Sequence, residues 1–173
     1  MGFLSDIRRS GEQGTFDGRD SYVPEHIPEP GPFLDGYEPL TGRDHAAFHR
    51  LTQQLFAERG VYDMTFGYNL ARLNQDQRNP EAGFRYAPEG DGVLRAEFTP
   101  TTPFCPQSDT LTAGAFRAWN GLAERHEYDR VRVRVAPMHQ QSEAINEKLR
   151  EFERVHRERG VVPEGTGRDD TPF

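Results

Sequence analysis

Tyr128-Asp129-Arg130-Val131-Arg132-Val133-Arg134-Val135-Ala136 sets the architecture of this chain. Side chains alternate across a strand, so Val131, Val133 and Val135 point to one face and Arg130, Arg132 and Arg134 to the other. Upstream lies a helix that should start at Pro106, whose fixed φ suits the first helical position. Leu111, Ala115, Ala118 or Trp119, and Leu122 supply its buried stripe. Before it, Gly83–Ala87 and Val93–Thr99 read as a hairpin around Asp91-Gly92, with Leu94, Ala96 and Phe98 inward. A strand–helix–strand connection should lay the valine strand parallel to its partner. Downstream, Ile145, Leu149 and Phe152 recur at helical spacing from about Gln140 to Arg159.

Further toward the N-terminus, a helix is expected over Asp44–Arg59, with Asp44 as N-cap, Gly60 as stop, and Phe48, Leu51 and Leu55 on one stripe. Val61–Tyr68 reads as a strand and Asn74–Glu81 as a loop. The expected fold class is α/β. A small mixed sheet of three to four strands is packed by three helices, in the order α-β-β-β-α-β-α, with a flexible N-terminal arm and a C-terminal tail.

Composition divides the chain of 173 residues in the same way. Residues 1–42 hold 7 Gly and 5 Pro, with 8 acidic and 3 basic side chains. Residues 161–173 carry 3 acids and 1 base, so residues 43–160 are neutral, with 17 of each sign. The net charge of −7 therefore sits on the ends. Residues 1–42 read as a Gly/Pro-rich acidic arm, 43–160 as the folded domain and 161–173 as a disordered tail. On composition the arm is disordered. Its aromatic residues Phe16, Tyr22, Phe33 and Tyr37 offer the other reading, an extended strap docked on the domain. Arginine occurs twenty times and lysine once, at Lys148, a bias that GC-rich coding produces and that, together with the acidic ends, also suits a protein from strong salt.

No apolar run is long enough to span a bilayer and the first residues lack the apolar core of a secretory signal, so a cytoplasmic protein is expected. An acidic chain is a poor general ligand for nucleic acid. No phosphate-binding loop, dinucleotide fingerprint or nucleophile elbow is present. The single cysteine excludes an internal disulfide framework and an all-cysteine cluster site within one chain.

That cysteine lies in Phe98-Thr99-Pro100-Thr101-Thr102-Pro103-Phe104-Cys105-Pro106, between a strand and a helix. Cys105 at or near an N-cap would meet free N–H groups and the positive end of a helix dipole, which favour the thiolate. Thr101 and Thr102 should bond the sulfur or order the loop, and Pro103 and Pro106 stiffen it.

Thr101-Thr102-Pro103-Phe104-Cys105-Pro106, followed by a helix and a valine-rich strand, resembles the metal–sulfur cluster biosynthesis family that includes PaaD and SufT. The resemblance spans roughly residues 44–153. It implies a non-enzymatic accessory factor in iron–sulfur cluster assembly or transfer, with Cys105 as functional thiol and tentative metal ligand. Thr101 and Thr102, with Pro103 and Pro106, would support the loop, and Asp63 would be what remains of the family's first motif. Separately from the resemblance, His139 follows the last strand at the same sheet end as the Cys105 loop and reads as a structural or surface histidine or as a second residue behind the thiol. Where the family has Asp-Pro-Glu, this chain has Asp63-Met64-Thr65. One thiol cannot hold a cluster alone. The expected cargo is therefore a transient cluster or iron, shared with a second subunit of a homodimer or with a partner. The implied partners are assembly scaffolds, carriers and cluster-receiving enzymes. The alternative is an interaction module on the same fold without thiol chemistry.

Other residues have plainer readings. His45 and His49 are four apart and read as a solvated helix flank. Trp119 reads as core. Arg130, Arg132 and Arg134 read as an exposed or acid-paired face, or else as a docking surface for an acidic partner or phosphate.

Overall fold

A computed structural model describes residues 16–18, 21–64 and 67–162. Among these residues the α-helices are α1 (Gly42–Arg59), α2 (Ser108–Gly121) and α3 (Ser142–Arg159). The strands are β1 (Tyr62–Asp63), β2 (Tyr68–Asn69), β3 (Gly83–Gly90), β4 (Val93–Thr99) and β5 (Arg130–Val135). The main sheet has the order β3-β4-β5, with β3 antiparallel and β5 parallel to β4. The α/β class, three packing helices and the parallel final strand agree with the sequence reading.

The hairpin follows from Asp91-Gly92. Both residues take positive φ, 57° and 77°, as a two-residue turn of this hand requires. Its register sets Phe84 opposite Phe98 and Tyr86 opposite Ala96, while Leu94, Ala96 and Phe98 stand beside Val131, Val133 and Val135. This apolar face is buried beneath Phe48, Leu55 and Phe56 of α1 and Ala115, Phe116 and Trp119 of α2. Ile145, Leu149 and Phe152 of α3 complete the core.

Several boundaries are corrected. Val61–Tyr68 is not one strand: Tyr62–Asp63 pairs back on Tyr68–Asn69, reversing at a positive-φ glycine, Gly67. The N-cap of α1 is Thr41; Asp44 lies inside the first turn, where a carboxylate still meets the dipole favourably. α2 starts at Ser108, two residues after Pro106, because Cys105 and Pro106 complete a preceding turn in which Ser108 N–H donates to the Cys105 carbonyl.

The described part of the arm takes the strap form. From Ser21 to Leu40 it crosses the polar sheet face, burying Ile27 and Leu34. Glu97 accepts the Gly31 N–H at 2.6 Å and the Phe33 N–H at 3.4 Å. Arg85 donates to the Pro28 carbonyl and Arg95 to the Phe33 carbonyl. The guanidinium groups of Arg95, Arg132 and Arg134 lie 4.6, 5.4 and 4.9 Å from the Phe33 ring centroid. A Cβ at Gly31 would meet the Glu97 carboxylate at 2.6 Å, so a larger residue there would displace the carboxylate that holds the strap. Residues 1–15 and 19–20 of the arm, 65–66 of the expected strand and 163–173 of the expected tail lie outside the described residues.

Candidate functional site

The carboxyl ends of the parallel strands β4 and β5 lie together, and each runs through a loop into a helix. In such sheets this end is where ligands and partners usually bind. The loop after β4 carries Cys105; the loop after β5 carries His139. Three bonds staple them: Ala136 N–H to the Phe98 carbonyl, Gln140 N–H to the Pro103 carbonyl, and His139 Nε2–H to the Cys105 carbonyl, each at 2.8 Å. An open cleft of about 390 Å³ lies between them, walled by Cys105, Pro106, Asp109, His139 and Ala144.

Cys105 is half-buried on this wall, three residues before α2. Thr102 Oγ1 accepts the Phe104 N–H at 3.2 Å, and Cys105 N–H donates to the Thr102 carbonyl. Of the two roles open to the threonines, Thr102 therefore orders the turn. Pro103 and Pro106 are exposed on its outside. Thr101 lies half-buried where β4 leaves the sheet.

His139 reaches the Cys105 loop as expected, but by its ring edge. It is buried, its Nδ1 accepts the Gln141 N–H at 2.9 Å, and its Nε2 donates to the Cys105 carbonyl. Both nitrogens are spent on backbone, so the ring is a pin between loops and has no nitrogen left for the thiol. Asp63 is buried on β1 and is not part of the cleft wall. Its neighbour Met64 donates its N–H to Gln107 Oε1 at 2.9 Å, which ties the small hairpin to the start of α2. Among the described residues no three His, Cys, Asp or Glu side chains converge as a metal site.

His126, ahead of β5, repeats the His139 arrangement. Its Nδ1 accepts the N–H two residues on, from Tyr128, and its Nε2 donates to the Trp119 carbonyl. The signal in both cases is a histidine beside a strand terminus, where a ring with two edge nitrogens can satisfy one donor and one acceptor of the turn.

The solvated reading of His45 and His49 is overturned: both are 2 % exposed. Tyr22 of the strap covers His45, and the two imidazoles stack with centroids 5.5 Å apart. His49 donates from Nε2 to the Ala71 carbonyl, so its Nδ1 accepts the Tyr86 hydroxyl, each at 2.6 Å. Burial, then the neighbouring His49 and Arg85, pulls the His45 pKa down to about 3. Burial pulls His49 down to about 4, against the opposing bond to Ala71. The helix turns this way because Phe48 and Phe56 need the core, and the face that buries them also carries His45 and His49.

Arg132 and Arg134 are already engaged within the chain. Arg132 bonds Glu89 and Glu153, each at 2.9 Å, and Arg134 bonds Glu153 at 2.8 Å. The acid pairing expected of this row is thus made chiefly to α3 and the hairpin, while Glu97 holds the strap.

Fold and site together define a small α/β domain whose two strand-to-helix loops, one bearing a thiol, frame an open cleft. The chain belongs to the family described as domain of unknown function DUF7998, whose model matches residues 14–163. No curated protein and no solved structure matches it. No helix among the described residues is long and apolar enough to cross a membrane.

Proposed function

We propose that this protein is a non-enzymatic accessory factor in iron–sulfur cluster assembly or transfer, offering the Cys105 thiolate as one ligand to iron or to a cluster held mainly by a partner. The observation that carries the reading is the half-buried Cys105 on the wall of an open cleft, with Phe104 67 % and Met138 43 % exposed on the same loops. Exposed apolar side chains beside a reachable donor suit a surface that docks a carrier. The Thr-Thr-Pro-Phe-Cys-Pro resemblance supplies the cargo. With one thiol per chain the cluster is shared, either with a scaffold or carrier or across a homodimer.

The test is anaerobic transfer. The full chain is mixed with a carrier loaded with an iron–sulfur cluster and followed by visible circular dichroism, with Cys105→Ser in parallel. The native chain should change the cluster spectrum and the variant should not. Equal spectra, or full maturation of cluster enzymes in cells carrying Cys105→Ser, would end the proposal.

A second reading, an interaction module without thiol chemistry, is favoured by His139, whose ring has no nitrogen available to the sulfur. Under it, Phe104→Ala abolishes function in cells and Cys105→Ser does not.

A further inference from the structure

At the opposite end of β5 a larger cleft, of about 460 Å³, opens between α1, the strap and the turn that enters β5. Its volume falls in the range of small-molecule sites, and its inner walls combine aromatic and aliphatic side chains. Phe48, His126 and Tyr128 present three rings. Phe48 meets Tyr128 edge to face at 5.6 Å and His126 at 6.2 Å, and His126 lies 6.2 Å from Tyr128. The rings are held: Phe48 is almost fully buried against Tyr86, and both edge nitrogens of His126 are bonded to backbone.

Two carboxylates, Asp44 and Glu127, stand on the rim. Neither has a basic partner among the described residues, and no Lys or Arg lines the cleft. Glu89, Glu153 and Asp76, by contrast, are arginine-paired. The excess negative potential is felt inside: burial first, then Glu127 and Asp44, pushes the Tyr128 phenol up to about 12.

We propose that this cleft binds a small organic cation, an amine or quaternary ammonium carried on an apolar body. Aromatic faces attract a cation through their quadrupoles, most strongly where it is partly desolvated. The two carboxylates supply the counter-charge, and Leu40 and Phe48 receive the apolar body. An anion would meet like charge. The proposal is independent of Cys105 chemistry, since the two clefts lie at opposite ends of the sheet.

The test is an aromatic NMR titration of the full chain with phenethylammonium, with neutral phenethyl alcohol and anionic phenylacetate alongside. Saturable shifts are expected at Phe48, His126 and Tyr128, with the ammonium binding at least about tenfold tighter than the alcohol and phenylacetate weakest. The double variant Asp44→Asn/Glu127→Gln changes only exposed side chains and should bring the ammonium to within about threefold of the alcohol. The proposal is overturned by shifts absent from these rings, by equal binding of ammonium and alcohol to the native chain, or by a double variant that keeps the full preference for the cation.

Discussion

The two ends of β5 are built on the same device and have opposite characters. At each, a histidine accepts a backbone N–H two residues ahead and donates to a carbonyl of another segment. At the carboxyl end the pin joins two exposed loops around a thiol, and the most exposed aromatic side chain among the described residues, Phe104, projects from them. At the amino end the pin stands in an aromatic wall continuous with the core through Phe48 and Trp119. Chemistry-bearing residue types and preorganised shape have therefore separated in this molecule. A motif search finds the first end, and only geometry finds the second.

The largest predicted difference is in acid. His45 and His49 lie on α1, whose Asp44 and Phe48 form the amino-end wall. Their folded pKa values, about 3 and about 4, lie below the ordinary 6.5, so the unfolded chain binds more protons as pH falls. Their contribution is full above pH 6.5 and is lost progressively below it, down through the folded values. For two such groups the loss between pH 7 and pH 5 is about 4 kcal/mol, a large share of a domain's stability. Burial also raises Glu97, which works in the opposite direction but only nearer the carboxylate range. Urea unfolding at the two pH values measures the loss. His45→Gln/His49→Gln should flatten the difference, and an unchanged pH dependence in that variant would place acid sensitivity elsewhere.

A smaller effect separates the two pins. His139→Ala removes a buried ring and leaves the Cys105 carbonyl and the Gln141 N–H, both part-buried, without their partner, at a cost of about 1–3 kcal/mol. His126 is half-buried, so water can replace part of what His126→Ala removes, and about 1 kcal/mol is expected. Alkylation of Cys105 by iodoacetamide gives the sharper reading. It should quicken in His139→Ala, where the loops are unstapled, and stay unchanged in His126→Ala. Equal rates in both would mean that the loops hold together without the ring.

The fold was legible because its signals are local and strong. Val131, Val133 and Val135 alternate without interruption, and Asp91-Gly92 is a turn dipeptide with only one good use. The failures have physical causes. Residue type alone puts the α1 histidines in water. An imidazole that bonds Ala71 and Tyr86, as His49 does, and a second that stacks on it, as His45 does, can occupy a core stripe instead. The strap was underdetermined because Gly and Pro lower regular structure without forbidding docking. What holds it is Glu97 and a cluster of arginines on three strands, a convergence that exists only after folding. Cys105 and His139 were brought together as expected, yet the contact runs to the backbone carbonyl, a distinction no spacing contains. The amino-end cleft had no motif at all, being assembled from α1, the strap and the His126–Tyr128 turn.

The smallest predicted effect on stability is the most informative about the carboxyl end. Phe104 is 67 % exposed and its N–H, not its ring, holds the turn through Thr102. Removing the ring deletes little buried area and no hydrogen bond, so Phe104→Ala should change unfolding free energy by no more than about 0.5 kcal/mol. An aromatic side chain kept in water beside Met138 makes no contribution to the fold that would account for it, whereas a docked partner would bury both. Thermal unfolding of Phe104→Ala with the native chain as reference measures this. A loss above about 2 kcal/mol would show that the ring is structural. The carboxyl end would then resemble the amino end, an extension of the core and not a surface held open for another molecule.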